Sequence, residues 1–439
     1  MLRLWGGNTL LKYLWTVTQD LFLTVTFAAW MHGLLSRLYG RGGRRMHGIA
    51  LGVGALAAAA LAGVKQTTNK IMTSQWSHYL YGAIVVLTLI FLVLSLIFGR
   101  KEGRTRLGAG GAALCCAGSA LSAVMVFFAL PGVLLYPFNF NTMGNGFWSA
   151  YYMVRLAGWA LALLLLLVYA RMLYHCVSGV KGAGWACGLL NAGYVSFSVY
   201  CFGRFFVPWV NRAKWLNWPV KYTREEYGWI RDVMMFAAQN AMLFIWIGMG
   251  LAALAAILFF FQNLRVRDPY DNPAQRRKLR ARNRRHRRIA AAALACLVLC
   301  LVILTAVKAY DTRVVELSAP ETYTVEEDTV LVPIESVSDG HLHRFEYRTD
   351  RNIDVRWIVV KKPGSASFGV GLDACEVCGN AGYFERSGQV ICKRCDVVMN
   401  INTIGFKGGC NPIPLAYEVK DGNLVFKLED IIAGEKEFR

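Results

Sequence analysis

Residues 84–98 read IVVLTLIFLVLSLIF, fifteen positions with no charge and only two hydroxyls. A helix of that composition has no polar face to turn to water, so it belongs in a bilayer or deep inside a large core. A spanning helix needs about 20 mostly apolar residues. Eight stretches qualify: 13–36, 48–64, 78–98, 109–136, 149–173, 184–206, 233–261 and 289–308. Hydrophobic residues make up 55% of the 439 and charged ones only 17%, too few polar groups to cover a soluble fold of this size. The expected architecture is an α-helical polytopic membrane bundle of about eight transmembrane helices over 1–310. A small β-rich extracytoplasmic domain that binds a metal or cluster follows over 311–439.

The loops give the orientation. RLYGRGGRR (37–45), GRKEGRTR (99–106), the segment 171–181 and QRRKLRARNRRHRR (275–288) are basic and follow spans one, three, five and seven. The intervening loops 134–148 and 210–229 are richer in aromatics and lower in net charge. Basic loops stay in the cytoplasm, so the tail from Ala309 lies on the opposite face. The first span, broken by Gln19 and Asp20, has no convincing cleavage site after it and reads as an uncleaved helix. The net charge of +20 comes largely from these loops, which removes nucleic-acid binding as its explanation. The run 275–288 reads as a topology anchor touching anionic lipid, at about 1 kcal/mol per basic residue near the surface, rather than as a docking arm.

In the tail the pattern changes to period two. TYTVEEDTVLVPIESV (322–337), LHRFEYR (342–348), DVRWIVVKK (354–362) and NLVFKLEDI (423–431) read as short strands, with KDGN (420–423) as a hairpin turn. FGVGLDAC (368–375) reads as a glycine-bearing loop with no phosphate role.

Five thiols fall within residues 373–412. Cys375 and Cys378 form one Cys-x-x-Cys pair, and Cys392 and Cys395 the other. Two residues between thiols let one tight turn aim both sulfurs at one ion, and Gly379 supplies the backbone freedom that turn needs. Two such knuckles give the ligand set of structural zinc or of an iron–sulfur cluster. Two disulfides or redox-active thiols are the competing reading for an exported domain. Covalent haem is excluded, because Gly379 and Asp396 stand where a His would follow each pair. Cys410 in GGCNP is a fifth thiol on a loop suited to close approach. Alternation places His341 and His343 on one face of a strand, as a second ligand pair or an addition to the thiol site.

Ionisable groups at membrane depth point to function. Gln19, Asp20 and His32 accompany the first span, Arg155 begins the fifth, Asn191 lies in the sixth, and Gln239 and Asn240 lie in the seventh. An Asp20–Arg155 pair would neutralise both charges. Cys115, Cys116, Cys176, Cys187, Cys201, Cys296 and Cys300 read as small packing residues. There is no nucleotide-binding glycine loop and no serine nucleophile elbow.

The succession LHRFEY, DACEVCGNAGY, VICKRC and NINTIGFKGGCNPIPL resembles the FtrD-like family of bacterial membrane iron–sulfur proteins. The resemblance covers about 341–415 in detail and the spans only in architecture. It implies a multi-pass protein of the bacterial cytoplasmic (inner) membrane with an accessory role in iron uptake, handling electrons as iron changes oxidation state. The implied partners are an iron permease and a periplasmic iron-binding protein. Carried over by position, Cys375, Cys378, Cys392 and Cys395 are the cluster or metal ligands, with Cys410 as a fifth thiol and His343 as a companion. The chain lacks the Arg-Glu-x-x-Glu pattern of iron permeases, so it is not read as the permease. The expected cofactor is an iron–sulfur cluster, or alternatively zinc. The competing functions are a membrane thiol–disulfide oxidoreductase and a zinc-braced scaffold or transport component. No residue is assigned as catalytic.

Overall fold

The computed structural model describes residues 7–68, 73–99, 108–139, 148, 150–213, 228–266, 268–312, 317–386, 388–394 and 397–438. The chain divides into a helical unit over 8–140 and 153–311 and a second unit built on 312–439.

The helical unit contains α1 (Gly7–Thr67), α2 (Thr73–Phe98), α3 (Ala109–Asn139), α4 (Ala150–Gly179), α5 (Ala183–Ala213), α6 (Gly228–Gln239), α7 (Ala241–Gln262), α8 (Pro273–Val302) and the short α9 (Lys308–Asp311). Among the described residues six helices are long and apolar enough to cross a membrane. This is a multi-pass membrane protein. The first two expected spans both fall on α1, which at 1.5 Å per residue would be about 90 Å long if straight. It is not straight. Gly40, at φ 58° and ψ −134°, breaks the helix inside the basic loop. Past the break the chain folds back: His32 and His47 face each other at 3.1 Å, where an unbroken helix would hold them about 22 Å apart. The expected seventh span is interrupted at Asn240 between α6 and α7. The sixth lies on α5, which is helical but is not among the six, since glycines, serines and Asn191 dilute its apolar content.

Several of the polar residues singled out in the spans find local partners. Gln19 accepts from Lys308 Nζ at 2.7 Å, and the Asn191 amide donates to Ser95 at 2.8 Å. Asp20 accepts from the Tyr136 hydroxyl at 2.6 Å, and the Arg155 guanidinium lies over the Tyr13 ring. Among the described residues no Asp20–Arg155 ion pair forms, so that expectation is corrected. A phenol within reach lets the carboxylate be satisfied without a buried cation. Five of the seven membrane-part thiols are buried, Cys296 is half-buried and Cys116 is exposed.

The second unit is antiparallel throughout. One sheet runs in the order β1 (Thr324–Glu326), β2 (Thr329–Pro333), β9 (Asn423–Lys427), β8 (Glu418–Lys420). A second joins β3 (His343–Arg348), β4 (Asp354–Lys361) and β5 (Phe368–Leu372). A third is the hairpin of β6 (Tyr383–Arg386) and β7 (Gln389–Cys392). Helix α10 (Leu428–Ala433) closes the chain after β9. The KDGN turn forms as expected, with Asp421 and Gly422 both at positive φ, the conformation a two-residue hairpin requires.

The glycine-bearing stretch 368–372 is strand β5, not the loop expected from its sequence. Its glycines serve close packing: a Cβ at Gly371 would sit 2.7 Å from Pro412 Cβ, and one at Gly369 would sit 2.8 Å from Ile404. The segment 404–413 therefore lies directly against the strand. Strand β4 is covered on both faces. Val355, Trp357 and Val359 join Phe345, Val330, Leu424 and Phe426 in the main core, while Ile358 and Val360 point to the opposite side, among the thiols.

Candidate metal centre

Asp373 follows β5 and begins the first knuckle. The Cys375 amide donates to the Gly379 carbonyl (3.1 Å), and the Gly379 amide returns a bond to Cys375 O (2.9 Å). Gly379 takes φ 66°, which closes the turn. Inside it the Cys378 amide donates to Cys375 Sγ at 3.1 Å.

The second knuckle begins at the end of the β6–β7 hairpin. Cys392 pairs with Tyr383 across the ladder, and its amide donates to Val397 O at 3.0 Å. Arg394 ties the two knuckles together by donating to Cys378 O at 3.1 Å. The sulfurs of Cys375, Cys378 and Cys392 all lie within 4.8 Å of one another, and all three residues are buried. Cys395, the expected partner of Cys392, lies outside the described residues. Cys410 is half-buried and packs on this cluster, outside the close group of three. Its carbonyl accepts from the Tyr383 hydroxyl at 2.7 Å, so Tyr383 anchors the GGCNP loop beside the sulfurs.

The two histidines part company. His341 precedes the strand and is exposed, and its Nδ1 meets Glu385 at 2.9 Å. His343 opens β3 and is buried, with Nδ1 3.0 Å from Glu321 and Nε2 2.8 Å from Asp339. They do not share a strand face, because β3 starts at His343. Burial alone would pull the His343 pKa down, but hydrogen bonds to Asp339 and Glu321 outweigh it and hold the imidazolium above its usual range. Glu385 raises exposed His341 in the same way.

Sequence reading missed the buried frame behind the first knuckle. Arg344 Nε meets Asp373 Oδ2 at 3.0 Å, with both side chains essentially inaccessible. Asp373 Oδ1 accepts from the Tyr383 amide at 2.7 Å, and Arg344 donates to Tyr383 O and to Ser318. Burial pushes the Asp373 carboxyl up, against the pull of Arg344. This ion pair thus fixes the start of the first knuckle and strand β6, which pairs with the strand carrying the second. The only hint was the position of Asp373, two residues before Cys375.

Residues 337–438 match the family model of the membrane iron-sulfur containing protein FtrD-like. The match takes in both knuckles, Cys410 and both histidines. No curated protein and no solved structure matches the chain. The donor set of the matched region fits the group that the family model's description implies. It offers three buried thiols from two chain segments, one of them receiving an amide hydrogen bond, with a guanidinium held alongside.

Proposed function

We propose that this protein is an integral membrane accessory of bacterial iron uptake. In this reading it passes electrons through a thiolate-held metal or iron–sulfur centre on the extracytoplasmic side of the cytoplasmic membrane. The membrane part covers 1–310 with eight spans, α1 contributing two, and the exported domain covers 311–439. The convergence of three buried sulfurs within a region that matches the FtrD-like family carries this reading. The alternation of basic and aromatic loops supports the orientation.

Cys375, Cys378 and Cys392 hold the centre, with Cys395 as the fourth ligand and Cys410 as a thiol in reserve beside it. His343 and His341 act outside it, as cations held by carboxylates. An iron–sulfur centre bound there supplies one-electron exchange over a wide range of potential. The chain's own contribution is to keep water from the sulfurs, hold Cys375 Sγ in place through the Cys378 amide, and lock the two knuckles through Arg394. An iron permease and a periplasmic iron-binding protein are the partners this role requires.

A second reading has its own support. Two thiolates on one tetrahedral ion at about 2.3 Å each stand about 3.8 Å apart, so sulfurs within 4.8 Å of one another also suit a single ion such as zinc. Metal analysis and electron paramagnetic resonance on the full chain, purified in detergent without oxygen, separate the two. Iron with a reducible visible band, both lost in Cys375→Ser, is the expected result. Zinc alone, with no redox signal, overturns electron transfer and leaves a metal-braced domain.

A further inference from the structure

The break at Gly40 brings together two histidines that the metal centre does not use. His32 Nδ1 and His47 Nδ1 face each other at 3.1 Å across the folded α1, and His47 Nε2 meets Ser122 Oγ of α3 at 3.0 Å. His47 and Ser122 are buried. Glycines permit the approach on both sides. A Cβ at Gly54 would lie 2.6 Å from Ala123 O on α3, and one at Gly33 would lie 3.0 Å from Val177 on α4. Beside Ser122, near enough to interact with it, stands the buried Tyr194 hydroxyl of α5. Ser119, one turn from Ser122, and Ser198, one turn from Tyr194, are buried hydroxyls without hydrogen-bond partners among the described residues. Buried polar groups of this kind are satisfied by ordered water. The other groups facing the pair are Arg44, which acts on His32 from the second half of α1, and Tyr174 of α4, whose ring lies 5.2 Å from that of His32. No carboxylate hydrogen-bonds to either imidazole among the described residues.

We propose that His32 and His47 form a one-proton relay inside the helical unit, opening through Ser122 and Tyr194 onto buried water. Two neutral arrangements satisfy the same contacts. In the first, His32 Nδ1–H donates to His47 Nδ1, and His47 Nε2–H donates to Ser122 Oγ. In the second, His47 Nδ1–H donates to His32 Nδ1, and Ser122 O–H donates to His47 Nε2. A proton arriving at His32 Nε2 converts the first into the second. The His32 Nδ1 proton crosses to His47 Nδ1, the His47 Nε2 proton passes to Ser122 Oγ, and Ser122 releases its own hydrogen toward the Tyr194 side. One proton enters, one leaves, and no electron moves. The reverse passage restores the start. Two imidazolium rings cannot face each other at this separation in a low-dielectric interior, so the pair holds one extra proton, never two.

This inference is independent of the thiol centre, and Cys392→Ser leaves its signals unchanged. The test is ¹⁵N-histidine magnetic resonance on the full chain in lipid nanodiscs. The expected result is one strongly deshielded proton coupled to both Nδ1 atoms, lost in His32→Gln and in His47→Gln. Its exchange with deuterated water slows at least about tenfold in Ser122→Ala and in Tyr194→Phe, which remove the outlet without touching the rings. Two separate titrations of the histidines, no shared proton, or exchange indifferent to both outlet variants overturns the relay.

Discussion

Both regions of this molecule bury cysteines, and they use them differently. In the helical unit, Cys115, Cys176, Cys187, Cys201 and Cys300 are buried across four helices, packed as small side chains among Leu, Phe and Tyr. In the second unit three sulfurs come within 4.8 Å because a tight turn and a hairpin end deliver them to one point. Burial alone makes an inert thiol, whereas convergence from independent chain segments makes a ligand set.

Replacing one thiol in each region puts that contrast under the greatest load. Cys392→Ser should abolish metal content and loosen the second unit, since structural metal sites supply about 10–16 kcal/mol of apparent binding energy. Cys300→Ser should leave metal per chain unchanged. Equal metal loss in both would erase the distinction. A smaller effect is expected from the frame behind the knuckles. Arg344→Met removes the closer cation of a buried carboxylate, leaving Arg356 at 3.4 Å, and should cost about 3 kcal/mol in denaturant unfolding of the second unit. Adding Asp373→Leu should recover much of that loss, and no recovery would mean that the pair does more than neutralise itself.

Glycine gives a third comparison. Gly371→Ala drives a Cβ into Pro412 and should destabilise by about 1–3 kcal/mol while displacing the Cys410 loop. Gly52→Ala in α1, where a Cβ meets nothing within 4 Å, should be neutral or stabilising in thermal melts. The smallest effect is in pH. The His343 pKa is raised in the fold, so its contribution is fully present below the unfolded value near 6.5 and fades as pH rises through the folded one. Melts of the second unit should show a loss on the order of 1 kcal/mol on the alkaline side, absent in His343→Gln. The opposite slope would mean that the carboxylates do not hold this ring charged.

The spans, the β character of the tail and the Cys-x-x-Cys turn were legible because each is a local pattern of period, length or spacing. Three things were not. Strand β5 reads as a loop because its glycines, needed for the approach of Pro412 and Ile404, erase its β signal. The Arg344–Asp373 pair joins positions 29 residues apart, and no local pattern announces it. His47 sits beyond a basic loop and meets His32 only because Gly40 reverses the chain. In each case the missing information was tertiary proximity.

Strand β4 gives neighbouring side chains unrelated duties. From Val355 to Val360, odd positions hold up the main core and even ones face Asp373 or the sulfurs. Drift at an even position can therefore retune the polarity around the centre while the scaffold stays intact. Drift at an odd one loosens the scaffold and leaves the sulfurs' immediate surroundings alone. Such an arrangement lets the chemistry at the sulfurs and the folding stability of the domain change along separate lines of descent.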